Sequence, residues 1–268
     1  MMAEMMGVLG SFLGALAGQA LGYFALAGLL FMIFWRWGRE RFAAHRIQQR
    51  VRFDEAQLRH ELKHTAATLV VGAANAVMLT AMYEAGWTKL TPTIEHGREL
   101  EAAAIFVGLL LVNDAWFYWM HRLLHHRYLY KKIHIRHHKS VDVNPFSSYS
   151  FHAVEGLLLG LWVLPAVLLV PIPLPVVAGL QVIGLANNMM SHLGYELLPR
   201  SWVRLPVVRW TNTSTFHNLH HSKMNGNYGL MFRFWDRALG TEVQGYEEGF
   251  RAAREEGAAT AEGRDVAA

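Results

Sequence analysis

The stretch on which the fold turns is Ala102-Ala-Ala-Ile-Phe-Val-Gly-Leu-Leu-Leu-Val-Asn113-Asp114-Ala-Trp-Phe-Tyr-Trp-Met120-His121-Arg122-Leu-Leu-His125-His126. Its first part, Ala102 to Met120, carries no charge before Asp114. That is close to the roughly 20 apolar residues a helix needs to cross a bilayer core. The run then opens directly into a histidine-rich segment, so chemistry sits at the mouth of a membrane helix. The rest of the chain repeats the first half of this pattern. Gly7 to Trp35 is uncharged and ends in Trp35-Arg36-Trp37, and Ala66 to Tyr83 is another apolar run. A cleaved signal peptide would be shorter and preceded by Lys or Arg; here acidic Glu4 precedes the first run, which predicts a retained helix. Ala153 to Met190 is apolar almost throughout but is broken by Pro165, Pro171, Pro173 and Pro175. Proline ends or kinks helices, so two helices are expected, about Val154–Val170 and Leu174–Met190, folded as a hairpin.

Composition agrees. The chain of 268 residues is 53% hydrophobic and 17% charged, against about 25% charge in a soluble domain. The expected fold is an all-α integral membrane bundle of four to five helices beneath a histidine-rich, metal-binding cytoplasmic cap. Three regions are expected: 1–64, a membrane helix and basic linker; 65–246, the membrane and catalytic part; and 247–268, a disordered tail poor in apolar residues. There is no cysteine, which excludes disulfides, iron–sulfur clusters and thiolate-bound haem or zinc.

Basic residues set the orientation. Arg36–His64 holds eight of the 25 Lys and Arg, His121–Ser150 six, and Ser191–Arg237 six, while Ala85–Glu101 has only Lys89 and Arg98. By the positive-inside rule the three basic segments are cytoplasmic. Eleven of the fifteen histidines fall between His121 and His221, all on that same side. Abundant Ala, Gly and Arg suggest a bacterial inner membrane; in a eukaryote the same reading would place the chain in the endoplasmic reticulum.

The histidines form four groups: His121, His125 and His126; His134, His137 and His138; His192, four residues before Glu196; and His217, His220 and His221. Residues three or four apart share a helix face. His121 can therefore pair with His125, or with His126 if the turn loosens; His134 with His137 or His138; and His217 with His220 or His221. In the doubled pairs one ring is turned about 100° from its neighbour, so one helix can address two ions. Imidazole suits zinc, copper, iron and nickel, and eight or nine histidines are too many for one closed site. A zinc hydrolase would want His-Glu-x-x-His within these groups; the motif occurs at His60-Glu61-Leu62-Lys63-His64, outside all four of them. A metal transporter would want ligands at mid-membrane, where the apolar runs carry scattered polar residues such as Asn75, Gln181 and Asn113-Asp114 but no histidine. A nitrogen-ligated pair of iron ions that activates O2 fits best, with zinc able to replace iron in purified protein. His45, His60, His64 and His96 are expected to be ordinary packed or surface histidines.

At these residues the sequence resembles the fatty-acid-hydroxylase and sterol-desaturase superfamily of membrane di-iron enzymes. The three boxes occur in order. Asp114-Ala-Trp-Phe-Tyr-Trp-Met-His121-Arg122 is similar to the family's approach to its first box, and Asn227-Tyr228-Gly229 with Phe234-Trp235-Asp236-Arg237 to its closing segment. Asn144-Pro145-Phe146-Ser147-Ser148 and Ser150-Phe151-His152-Ala153-Val154-Glu155-Gly156 are most similar to sterol C5-desaturases, which usually have proline where this chain has Ala153. The resemblance implies that His121, His125 or His126, His134, His137, His138, His192, His217, His220 and His221 bind metal. His152 matches a further family histidine, open to substrate contact or to support of the ligands. Asp114, Glu155 and Glu196 are the carboxylates expected to accept ligand N–H groups, because metal-bound imidazoles commonly donate their other nitrogen in this way. The implied activity is O2-dependent hydroxylation or desaturation of a lipid that enters from the bilayer between the third helix and the proline hairpin. Electrons would come from a separate ferredoxin- or cytochrome-type donor with its reductase, since no flavin, nicotinamide or cytochrome motif is visible. Nucleic acid is not an expected partner.

Overall fold

The computed structural model describes residues 2–48 and 53–251, and among these it is helical, with only isolated β-bridges. Helix α1, Met2–Phe31, runs on into a π turn, Met32–Trp37. It is apolar nearly all round, as a lipid-facing helix should be. Only a narrow stripe is covered: Tyr23 and Ala27 pack on Leu69 and Met189. The second helix, α2 (Glu55–Glu84), starts eleven residues before Ala66, so the boundary drawn at 64/65 runs through a helix. Asp54 explains the earlier start. Its carboxylate accepts the Gln57 N–H at 2.8 Å, an N-cap that satisfies an otherwise orphaned donor. The polar first turns of α2 lie against the Asn144 loop, where Asn144 donates to the buried Glu61 carboxylate at 2.9 and 3.0 Å.

Helix α3, Glu99–Leu124, extends past Met120 and carries His121 on its last turn. The second histidine group follows on a bulged helix made of α4 (Arg127–Leu129), a π turn (Tyr130–His134) and α5 (Ile135–His138). The proline hairpin is built from α6 (Ala153–Gly160), α7 (Val163–Leu169) and α8 (Leu174–Ser191). Its first arm is broken at 161–162 because Pro165 cannot accommodate the carbonyl four residues earlier. Among the described residues four helices are therefore long and apolar enough to cross a membrane, Met5–Trp37, Glu55–Glu84, Glu99–Leu124 and Leu174–Ser191, beside the shorter Ala153–Leu169. The cap is completed by α9 (Ser214–Lys223) and α10 (Phe234–Ala238).

The helices close on themselves: α1 on α2, α2 on α6, α6 on α3, α3 on α8, and α8 back on α1 through Leu185 and Met189. The seam between α3 and the hairpin, expected to admit lipid, is filled instead by Leu109, Ala166, Val167, Ile172, Val176 and Leu180. Trp116 pins it further by donating to the Leu158 carbonyl at 2.9 Å. These apolar surfaces face each other over the length of the hairpin, and burying them together is more favourable than leaving a gap. The end remote from the histidines is strapped by Thr91, which donates its N–H to Ile172 and accepts that of Leu174. Of the expected disordered tail, 247–251 are helical, because Tyr246 and Phe250 bury themselves on Val203 and Phe216; 252–268 lie outside the described residues.

Candidate metal centre

Each histidine group reaches the centre by a local device. His121 and His125 are one turn apart, His125 still in helical conformation as the C-cap of α3. At His126 the backbone turns extended (ψ 135°) and the ring points outward, exposed. On the bulged second segment His134 and His138 share a face, and His137 is turned away from it. Helix α9 is started by Thr213, whose hydroxyl accepts the Phe216 N–H at 3.1 Å. It ends at Met224, which adopts the left-handed conformation (φ 63°). His192 caps the end of α8.

Together they make two adjoining groups. His121, His125, His134, His138 and His220 form one; His137, His192, His217 and His221 form the other; within each, the possible ligand atoms lie within 4.8 Å of one another. The chain thus separates His137 from His138 and His220 from His221, one ring of each doubled pair to each group. In all three boxes the pair on one group is four residues apart: 121 and 125, 134 and 138, 217 and 221.

The short nitrogen–nitrogen distances identify what these groups can hold. His138 Nε2 lies 3.2 Å from His125 Nε2 and 3.1 Å from His134 Nε2, which is itself 3.1 Å from His121 Nε2. In the second group, His192 Nε2 is 3.0 Å from His217 Nε2 and 3.4 Å from His137 Nε2, and His221 Nε2 is 3.2 Å from His217 Nε2. A ring nitrogen carries one proton or one lone pair, so hydrogen bonds cannot satisfy such chains throughout. His121 and His192 cannot donate from Nε2, because each neutral ring's one proton is on Nδ1, given to the carbonyls of Tyr228 and Asn188, each at 2.8 Å. A cation satisfies every facing lone pair at once. Metal–nitrogen bonds of about 2.0–2.1 Å, at tetrahedral to octahedral angles, set neighbouring nitrogens about 2.9–3.4 Å apart. The donor set fits two ions.

The rings are held in the neutral form that binds metal. Burial pushes His192 down to about 4, His138 to about 3 and His125 to about 2. Burial, and then neighbouring imidazoles, hold His134, His137, His217, His220 and His221 well below the usual imidazole range. Aromatic rings wall the centre: Phe117 and Tyr228 against His121, Tyr130 against His125, Phe151 against His137.

The expected carboxylates divide. Glu155 does meet a ring, its Oε1 2.6 Å from His134 Nδ1. Asp114 touches no histidine; its carboxylate accepts the backbone N–H groups of Met231 and Phe232 at 2.9 and 3.1 Å, fixing the loop behind the first group. Glu196 accepts the N–H and hydroxyl of Thr215 and the N–H of Leu198, anchoring the start of α9. His152 is outside both groups and N-caps α6 by accepting the Val154 N–H at 3.1 Å. The sequence reading gave no role to Asp236, which takes the N–H groups of Tyr228 and Gly229 at 2.9 and 2.7 Å and so steadies the carbonyl that holds His121. It also passed over the buried Arg46–Asp142 pair at 2.8 Å. A lone acid inside an aromatic run, Phe234-Trp235-Asp236, was the available signal for the first; Arg46 had none.

A family model described as fatty acid hydroxylase matches residues 106–241, just over half of the chain. Lathosterol oxidase of Homo sapiens is 30% identical over 204 residues, which cover 74% of this chain and 65% of that protein. The Delta(7)-sterol 5(6)-desaturase of Gibberella zeae is 34% identical over 71% of this chain and 52% of its own length. Methylsterol monooxygenase 1 of Gallus gallus is 32% identical over 51% of this chain and 45% of its own. The chain thus spans less than two thirds of the length of these relatives. No solved structure matches it.

Proposed function

The chain belongs to the fatty acid hydroxylase family, and we propose that it is a membrane oxidase that hydroxylates or desaturates a C–H bond of a lipid, with O2 and external electrons, at two iron ions held by the two histidine groups. The observation that carries this reading is the pair of adjoining buried groups whose facing ring nitrogens stand at metal-ligand spacing. His121, His125, His134, His138 and His220 would hold one ion, and His137, His192, His217 and His221 the other. The relatives named for sterols make a sterol-like substrate the first to test, ahead of fatty acyl or other isoprenoid lipids.

Bound there, iron would activate O2, the oxidant that breaks an unactivated C–H bond, a chemistry no side chain of the protein possesses. The residues do the rest. Carbonyls of Tyr228, Gly226 and Asn188 and the Glu155 carboxylate take outer N–H groups of the rings, turning lone pairs inward. Phe117, Phe151, Tyr130 and Tyr228 exclude water from the reacting end, and the bundle presents the lipid to it. Exposed Arg122, Arg127, Lys131, Lys132 and Lys139 form a basic surface on the cap, suited to an acidic ferredoxin- or cytochrome-type donor. The basic cap faces the cytoplasm in this reading, of a bacterial inner membrane or of the endoplasmic reticulum in a eukaryote. Grouping of all nine rings at one end of the helices supports an enzyme centre over a transport path.

The test is anaerobic purification with iron, metal analysis, and incubation with lipid extract, a reducing system and ¹⁸O2. Hydroxylation would place one labelled oxygen in the lipid and the other in water; desaturation would remove two hydrogens and send both oxygens to water. Two iron ions with either product support the proposal. Fully active protein holding one ion would sink it.

A further inference from the structure

Resting on the reading that both histidine groups hold metal, a further property follows from what stands behind the rings. In the five-histidine group three outer nitrogens are fixed: His121 on the Tyr228 carbonyl, His220 on the Gly226 carbonyl and His134 on Glu155. The supporting loop is itself held. Asp236 takes two of its N–H groups, and Asn227, at φ 55°, donates its side-chain amide to the Phe216 carbonyl and its backbone N–H to that of Thr241. In the four-histidine group only His192 has its outer nitrogen fixed, on Asn188 of its own helix. Nδ1 of His137, His217 and His221 is buried without a hydrogen-bond partner, three of four rings, against His138 alone in the five-histidine group.

Charge is distributed as unequally. The rings are neutral, so two divalent ions would place four positive charges in a buried site. Glu155 is the one carboxylate among the described residues that hydrogen-bonds a ring of either group. It is 1% exposed, and its Oε2 has no partner. A buried carboxylate with a bare oxygen is costly unless a positive charge stands opposite. A cation held by His134 would lie across one imidazole from it.

We infer that the five-histidine group is the tight, first-filled metal position and the four-histidine group the exchangeable one, with Glu155 the positioning residue that separates them through His134. Glutamine at 155 can still accept the His134 N–H but carries no charge, so Glu155→Gln isolates the electrostatic part.

The experiment is a cobalt(II) titration of chelator-stripped, detergent-solubilised protein against a competing chromophoric chelator. Wild type is expected to bind in two steps. His192→Ala should keep the tight step and lose the weak one, and His121→Ala the reverse. Glu155→Gln should loosen the tight step about 10–100-fold, the usual cost of removing a ligand's outer partner, and leave the weak step unchanged. Chelator challenge of loaded wild type needs no variant: one ion should leave quickly and the other slowly. Two ions of one affinity, a weak step that survives His192→Ala, or a Glu155→Gln that loosens both steps or neither would overturn the inference. Fewer than two ions in wild type would instead overturn the proposed metal pair itself.

Discussion

His125 and His126 are neighbours with opposite fates, and the cause is one backbone angle. The α3 helix carries through His125 and breaks at His126, so the first ring turns into the five-histidine group and the second into solvent. His126→Ala should therefore keep two metal ions and normal turnover, and His125→Ala should lose metal and activity together; metal content of the purified variants decides. Glu196 illustrates the other limit of residue-level reading. A carboxylate near His192 in sequence was expected to support a ligand, but it serves the backbone of α9. Glu196→Ala strands the Thr215 and Leu198 N–H groups, at a cost of about 1–3 kcal/mol for an unpaired buried donor. A lower Tm with unchanged metal per folded chain is the expected result. Loss of metal from chains that remain folded would restore the ligand-supporting role.

At the scale of elements, the connections position the histidines as much as the helices do. Gly194 lies two residues past His192 at φ +79°, and a Cβ there would stand 2.6 Å from the Val143 carbonyl oxygen and 2.8 Å from the Trp35 ring. The turn brings the end of α8, the π turn after α1 and the loop after the second histidine segment into one contact that only glycine fits. Gly194→Ala combines a left-handed backbone penalty of about 1–2 kcal/mol with that overlap, and should lower Tm and the yield of folded protein; an unchanged melting curve would contradict it. The start of α2 shows what an apolar-run reading misses. Residues 55–65 are too polar to register as membrane, yet Asp54 as N-cap and the spacing of Leu58 and Leu62 were legible helix signals. The break at 161–162 was equally legible in Pro165. The packed seam between α3 and the hairpin was not, because nothing in either segment alone says that the other will cover it.

For the whole molecule, topology is the property most open to test. Glu55 and Asn225 are exposed beside the cap and Thr93 is exposed at the opposite end of the bundle. Ser140, between the second histidine group and the Asn144 loop, is fully buried and would report folding rather than sidedness. The chain has no native cysteine, so single-cysteine variants need no background removal. Impermeant thiol reagent should reach cysteine at 55 and 225 from the cytoplasmic side, and at 93 from the other. Labelling of all three from one side would overturn this arrangement of the spans.

The membrane class, the position of the clustered histidines at the helix ends and the family were readable from the chain alone, because apolar length and i, i+4 histidine spacing are local, and a helix converts both directly into geometry. Which ring of each doubled pair joins which group, which group His192 joins, and the use of carbonyls where carboxylates were expected were decided only by tertiary structure. His121 meets Tyr228 across 107 positions and His137 meets His192 across 55. The direction of a ring's lone pair is set by whatever its other nitrogen touches, and that neighbour comes from a distant segment whose approach no local pattern encodes.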